Sequence, residues 1–268
     1  LALAKCGHEV WNAWRAVYPK PIADFSGVDF RHEPIDFSGF TFSDGGRDVE
    51  NGEFTSCVDF SHASFGDLAR FVGASFGYMA RFEGASFGYR ARFTDASFGD
   101  MARFTDASFG NMAGFEGASF GVMARFEGAS FENVSFEGAS FEGDTNFAAL
   151  SLKETEELWR NIGLTGKKTA ARKAKAEASE MKSDAFKMIF FAGASFKGDA
   201  SFQDRRFLDA TDFGMTEKDI AVLQPGGEKR VIPKGTLTRF FGVPNFHGCA
   251  LHQNTSFDGA EFKAPPSP

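Results

Sequence analysis

The triplet Ala-Ser-Phe recurs every eleven residues, at 63–65, 74–76, 85–87, 96–98, 107–109, 118–120 and 129–131. A second phenylalanine falls in each interval, at Phe71, Phe82, Phe93, Phe104, Phe115 and Phe126, so Phe recurs in alternating steps of six and five. A period this strict limits the chain to architectures in which each repeat stacks on its neighbours. Two positions before these Phe stands a small residue (Ala63, Ala69, Ala74, Ala80, Ala85, Ala91), flanked by polar residues or Gly. Such alternation is the period-two signature of a short strand with one buried face. The Gly or Asp that follows (Gly73, Gly84, Asp95, Asp106) suits a tight turn. A helix fits poorly, because steps of five and six drift off any one helical face and repeated Gly penalises helix formation.

Two eleven-residue units make one coil of twenty-two residues, so residues twenty-two apart stack on neighbouring coils, roughly 4.8 Å apart. The expected core is Phe65, Phe71, Phe76, Phe82, Phe87, Phe93, Phe98, Phe104, Phe109, Phe115, Phe120, Phe126 and Phe131. Phe65, Phe87, Phe109 and Phe131 form one inner stack, and Phe82, Phe104 and Phe126 another. Outside, Ser64, Ser86, Ser108 and Ser130 line one face, Arg81, Arg103 and Arg125 a second, and Arg70 and Arg92 the face opposite that. A single coil buries too little apolar surface to offset the entropy of ordering it, so the stack must fold cooperatively.

Runs such as Ala129-Ser130-Phe131-Glu132-Asn133 and Ala139-Ser140-Phe141-Glu142-Gly143 resemble the five-residue unit of the pentapeptide-repeat proteins: a small residue, a polar residue, a central Leu or Phe and two variable residues. The resemblance covers about two-thirds of the chain. It implies a right-handed quadrilateral β-helix, an all-β solenoid with one unit per side. The chain departs from the unit in one respect. Every second unit carries a sixth residue, filled by Met79, Arg90, Met101, Met112 and Met123, which implies a bulge at a corner.

The rest of the chain divides around this rod. Residues 1–23 read as an N-terminal capping helix, with Val10, Trp11, Trp14, Val17 and Tyr18 on one face of a helix from Gly7 to Tyr18 and Pro19 and Pro21 beyond it. The repeat β-helix spans 24–152, with a loop expected over Ser43–Glu53, where Asp44-Gly45-Gly46 and Asn51-Gly52 signal turns. Residues 153–190 read as an inserted α-helical hairpin. Ser151 and Glu154 form a capping-box signal. The second helix is expected from about Lys168 to Phe190, with Ala185, Met188 and Ile189 near one side. A second repeat segment, 191–268, carries Phe191, Phe196, Phe202, Phe207 and Phe213. A loop or hairpin interrupts it at 214–245, with a hairpin expected over Val231–Phe241, before Phe246, Leu251, Phe257 and Phe262 restore the pattern. The start at Leu1 and the Pro-rich end at Ala264–Pro268 are consistent with a piece of a longer chain.

Charge is uneven. Residues 24–148 hold 20 acidic and 8 basic side chains, a net of −12, against −7 for the whole chain. Such a block either serves solubility or presents a surface to a basic partner. The Arg81, Arg103 and Arg125 column reads either as a salt-bridged solvent face or as a phosphate-binding stripe, and nearby Glu83, Glu116, Glu127, Asp95 and Asp106 favour the first. Candidate partner-contacting residues are Arg81, Arg103, Arg125, Glu83, Glu127 and the basic run Lys167, Lys168, Arg172, Lys173 and Lys175.

Chemical motifs are weak. Gly163 to Thr169 is not a phosphate loop, since Asn161 stands where its first Gly belongs and Lys168 where Ser or Thr should follow the Lys. His247 and His252 lack converging carboxylates or thiols, so neither metal nor cofactor is expected. The Ser residues follow repeat position and lack a placed His–acid pair, which argues against an enzyme. Cys6, Cys57 and Cys249 form neither a disulfide framework nor a zinc spacing, which fits a reducing cytoplasm, and no apolar run is long enough to cross a membrane. Two function classes follow. One is a non-enzymatic scaffold or protein-interaction module with an acidic rod-like surface. The other is a DNA mimic, since some proteins of the resembled family bind a type II topoisomerase with an acidic rod. Direct nucleic-acid contact through 167–175 is a weaker third.

Overall fold

The computed structural model describes residues 1–19, 22–42, 46–47, 54–55, 57–149, 185–203, 205–207, 211–214, 219–223, 229–235, 237–241, 244–246, 253, 255, 257 and 260–262. Its body is a four-sided parallel β-solenoid. Two sides are short Ser-Phe strands that pair in parallel with their equivalents one coil away, as in Ser64↔Ser86↔Ser108↔Ser130 and Ser75↔Ser97↔Ser119↔Ser140, and the other two are joined by parallel bridges such as Arg70↔Arg92 and Arg81↔Arg103. The four faces are named here by their core residues Phe65, Phe71, Phe76 and Phe82.

Phenylalanine sets the geometry because its ring both fills the interior and stacks at the strand spacing. Phe82 lies over Phe104 at 4.8 Å and 5°, Phe104 over Phe126 at 4.8 Å and 2°, and Phe71 over Phe93 at 4.7 Å and 1°. Within a coil, rings of adjacent faces meet edge to face, as Phe98 and Phe104 do at 5.2 Å and 77°. Each ring thus has offset-stacked partners along the axis and edge contacts across it, both favoured by the aromatic quadrupole. All thirteen core phenylalanines expected between Phe65 and Phe131 are buried in this one core.

The corners alternate in the way the six–five spacing implies. Where the step is six, the extra residue adopts the left-handed conformation: Leu68, Met79, Arg90, Met101, Met112 and Met123 have φ between 53° and 63°. At Met112 the pairing with the next coil shifts, because Asn111 opposes Asn133 and Ala113 opposes Val134. Met112 is therefore a one-residue bulge. Where the step is five, the left-handed position falls on Gly73, Gly84, Gly117 and Gly128, or on His62, Asp95 and Asp106.

At the N-terminus, a helix spans His8–Val17. It lies against the first coil through Trp11, whose ring meets Phe25, Phe40 and Phe42 and whose Nε1 donates to the Thr41 carbonyl. Asn12 donates to the Gly39 carbonyl and accepts from the Thr41 amide. Phe40 fills the inward position that Ala holds in later coils. The expected apolar face is narrower than the pattern suggests. Trp11 and Arg15 are buried, whereas Val10, Val17 and Tyr18 are about half exposed or more.

Three corrections concern the interruptions. Residues Ala185–Phe190 are a strand rather than the end of a helix, with Phe131↔Phe186 and Ser135↔Phe190 paired in parallel. Their apolar spacing suits either element, and the open edge of the coil decides it. The later hairpin is formed by Ile220–Leu223 and Lys229–Ile232, and Arg239–Phe240 instead rejoins the solenoid beside Ser195–Phe196. In the region expected to loop, Gly46–Arg47 and Phe54–Thr55 pair antiparallel. The helices expected within 153–184, Leu251, His247, His252 and Cys249 lie outside the described residues. The solenoid resumes after both interruptions and continues to Phe262, which stacks on Phe240 at 5.1 Å and 2°.

Candidate interaction surface

The four faces differ in chemistry. The Phe65 and Phe76 faces present Ser ladders followed by Gly. Gly99 is required there by close approach, since a Cβ would stand 2.8 Å from the Gly77 carbonyl carbon. The Phe71 and Phe82 faces carry the charge.

On the Phe82 face the outward column runs Asp59, Arg81, Arg103 and Arg125, then Asn146 and Ser201, each in register with the next. Like charges at this spacing repel, and carboxylates interleave with them. Arg81 meets Asp59 at 3.5 Å, Arg103 meets Glu83 at 3.5 Å and Arg125 meets Glu127 at 3.9 Å. Glu83 also accepts from Ser61 at 2.9 Å, and Glu127 accepts from Thr105 at 3.4 Å and Asn146 at 3.1 Å. Burial pushes the Glu127 carboxyl above its ordinary range, and Arg125 and its hydrogen bonds pull it back. At the end of the column is a recess of about 470 Å³ lined by Met123, Arg125, Glu127, Asp144, Asn146, Asp199 and Ser201 among others.

The opposite face is built differently. Asp36 pairs with Arg70 at 3.1 Å, and Arg70 and Arg92 are in register. The column then reaches Gly114, whose missing side chain makes room for Glu116: a Cβ there would lie 2.4 Å from Glu116 Oε2. Glu116 accepts from Thr94 at 3.1 Å, and burial raises its pKa.

Several corner carboxylates hold the next coil. Asp67 accepts from the Tyr89 amide at 2.8 Å, Asp100 from Val122 at 2.9 Å and Asp144 from Asp199 at 3.0 Å. Acidic charge is thus fixed in place at the edges. The structure brings Arg81, Arg103, Arg125, Glu83 and Glu127 onto one face, while Lys167, Lys168, Arg172, Lys173 and Lys175 lie outside the described residues. Among the described residues no group of three or more His, Cys, Asp or Glu is placed to hold a metal. None of their helices is long and apolar enough to cross a membrane. Burial pushes the Cys57 thiol up to about 12, so it is inert as a nucleophile.

Sequence reading missed Arg205, a fully buried arginine. A signal was present: Arg205-Arg206-Phe207 stands where Ala-Ser-Phe is the rule, so an arginine takes an inward position.

Residues 104–149 match the family model described as pentapeptide repeats, in nine copies. No curated protein and no solved structure matches the chain.

Proposed function

We propose that this chain of pentapeptide repeats is a non-catalytic scaffold, an acidic rod that receives the basic surface of a partner protein. Repeats of this kind suggest a scaffold or interaction module. In this reading the helix His8–Val17 caps the first coil and the solenoid winds right-handedly. One observation carries the proposal: charged side chains on the Phe82 face are tied to one another from coil to coil, so the face presents a fixed pattern. Fixed charges cost little further entropy on binding. Carboxylates outnumber guanidinium groups around the recess beyond Arg125, which suits a lysine or arginine side chain of the partner.

The test is capture of a binding protein by the intact chain and by Asp144→Lys and Glu83→Lys variants shown to be folded by circular dichroism. The proposal expects at least a tenfold loss of affinity and a steep weakening with salt. Unchanged affinity in both variants would sink it.

A second reading, mimicry of duplex DNA toward a type II topoisomerase, rests on the net charge of −12 over residues 24–148. The Arg columns weaken it by breaking the negative field on two faces. Gyrase supercoiling left unchanged at micromolar protein would retire it.

A further inference from the structure

The repeat period breaks between Phe147 and Phe186, and a side chain from a later coil reaches the carbonyls beside the break. In the regular coils Ser86, Ser108 and Ser130 donate their amides to the carbonyls of Ala63, Ala85 and Ala107. The next acceptor in that series is Ala129, and its carbonyl takes a hydrogen bond from Arg205 Nη1 at 2.9 Å. Likewise the carbonyls of Phe82, Phe104 and Phe126 accept from the amides of Ala85, Ala107 and Ala129. The next carbonyl, Phe147, accepts from Arg205 Nε at 2.5 Å. Arg205 Nη2 donates to the Phe126 carbonyl at 3.2 Å.

Arg205 belongs to a later coil. Its neighbours Arg206 and Phe207 pair with Ala185 and Phe186, which in turn follow Phe131. To reach Ala129, its guanidinium must cross the level of Ala185 and Phe186. The ring columns agree. Phe186 lies 4.7 Å under the guanidinium carbon, and it is tilted 55° from Phe131 and 68° from Phe207. The other three columns pass this level nearly parallel, with Phe136 over Phe191 at 12°, Phe141 over Phe196 at 3° and Phe147 over Phe202 at 5°.

We infer that the Arg205 side chain takes over hydrogen bonds that backbone amides donate in the regular coils, and so ties the coil that Ala185 and Phe186 begin to the coil that ends at Phe147. An unpaired buried carbonyl is costly, and the fork of an arginine can meet several acceptors at once. At the second interruption a smaller group adds contacts to carbonyls that keep their regular amide donors, Ala194 for Phe191 and Gly193 for Gly214. Thr238, also at an inward position and fully buried, has its hydroxyl oxygen 2.8 Å from the Phe191 carbonyl and 2.6 Å from that of Gly214.

The inference predicts a thermodynamic cycle. Residues 149–184 are replaced by Gly-Ala, so that Phe147-Ala148-Gly-Ala-Ala185-Phe186 copies Phe126-Glu127-Gly128-Ala129-Ser130-Phe131. With Arg205 present, the new unit and the guanidinium compete for one space, and Tm falls. Arg205→Ala in the intact chain removes the guanidinium donor from the Ala129 and Phe147 carbonyls, and Tm falls by about 5 °C or more. Combining the two restores Tm to within a few degrees of the parent. Arg205→Lys in the intact chain keeps the charge but loses the fork, and should also melt early. If either single change leaves Tm unaltered, or the combination melts no higher than the worse single variant or fails to fold, the inference is overturned. Failure of one single variant to fold, with the combined variant folded, supports it.

Discussion

A ring in the middle of a column has partners above, below and on both sides, so its loss opens a void that rigid strands cannot close. Phe104→Ala should destabilise the protein by about 3–5 kcal/mol in urea unfolding. Phe262→Ala should cost far less, because Phe262 is 48% exposed at the last described coil. The corners allow a finer comparison. Gly27 and Gly84 both have left-handed backbones, at φ 67° and 64°, but a Cβ at Gly84 would lie 2.4 Å from His62 Nδ1 while one at Gly27 meets nothing within 4 Å. Gly27→Ala should cost about 1 kcal/mol of backbone strain, and Gly84→Ala measurably more. Equal losses would show that His62 yields freely. Asp106 supplies a pH test. Burial pushes its carboxyl up to about 6 from 3.8, Arg205 acts to lower it and Glu127 to raise it. A folded pKa above the unfolded one means that the native state binds the proton more tightly. Stability from this group therefore rises as pH falls from about 6 to below 4, by on the order of 3 kcal/mol. Raised pKa values at Glu116 and Glu127 act in the same direction. Hydrogen-bonded Asp24 and Glu33 have lowered values, and their contribution is lost only at more acid pH. In Asp106→Asn the gain between pH 7 and 5 should shrink, and an unchanged pH profile would contradict the assignment.

At the scale of the strand and the column, ion pairs and partner contacts should separate. Arg103 and Glu83 are partly exposed, so breaking their pair with Arg103→Ala should change stability by less than about 1 kcal/mol. The columns themselves were legible in the sequence, because a period of twenty-two fixes what lies over what without any knowledge of side-chain packing. The same spacing revealed the bulge, since Met112 is the residue the next coil omits. Legibility ended where the period did. Ala185–Phe190 has apolar residues that suit a helix as well as a strand, and only the unpaired edge of Phe131–Ser135 selects the strand. Arg205 was missed because the phenylalanine spacing runs on unbroken from Phe191 to Phe213, and only the residue two before Phe207 departs from the rule. Its role depends on carbonyls 58 to 79 residues away in the chain. Phe40 was missed for a related reason. It breaks the small-residue rule at the one coil where Trp11 needs a platform.

For the whole molecule, the account is of a post whose interior is uniform and whose exterior is not. Ser–Gly ladders cover two sides and interleaved charge covers the other two, so a partner can read the rod by face as well as by net charge. Cooperativity follows from the same design, since no coil buries its rings without neighbours. Amide hydrogen exchange on the intact chain tests this most directly. The amides of Phe71, Phe82, Phe93, Phe104 and Phe115 each donate to a carbonyl one coil away at 2.7 to 2.8 Å. The account predicts that all five exchange slowly and with one common opening free energy, as members of a single unit. Fast exchange at Phe82 and Phe93, or opening energies that differ widely along the series, would contradict a continuous stacked core.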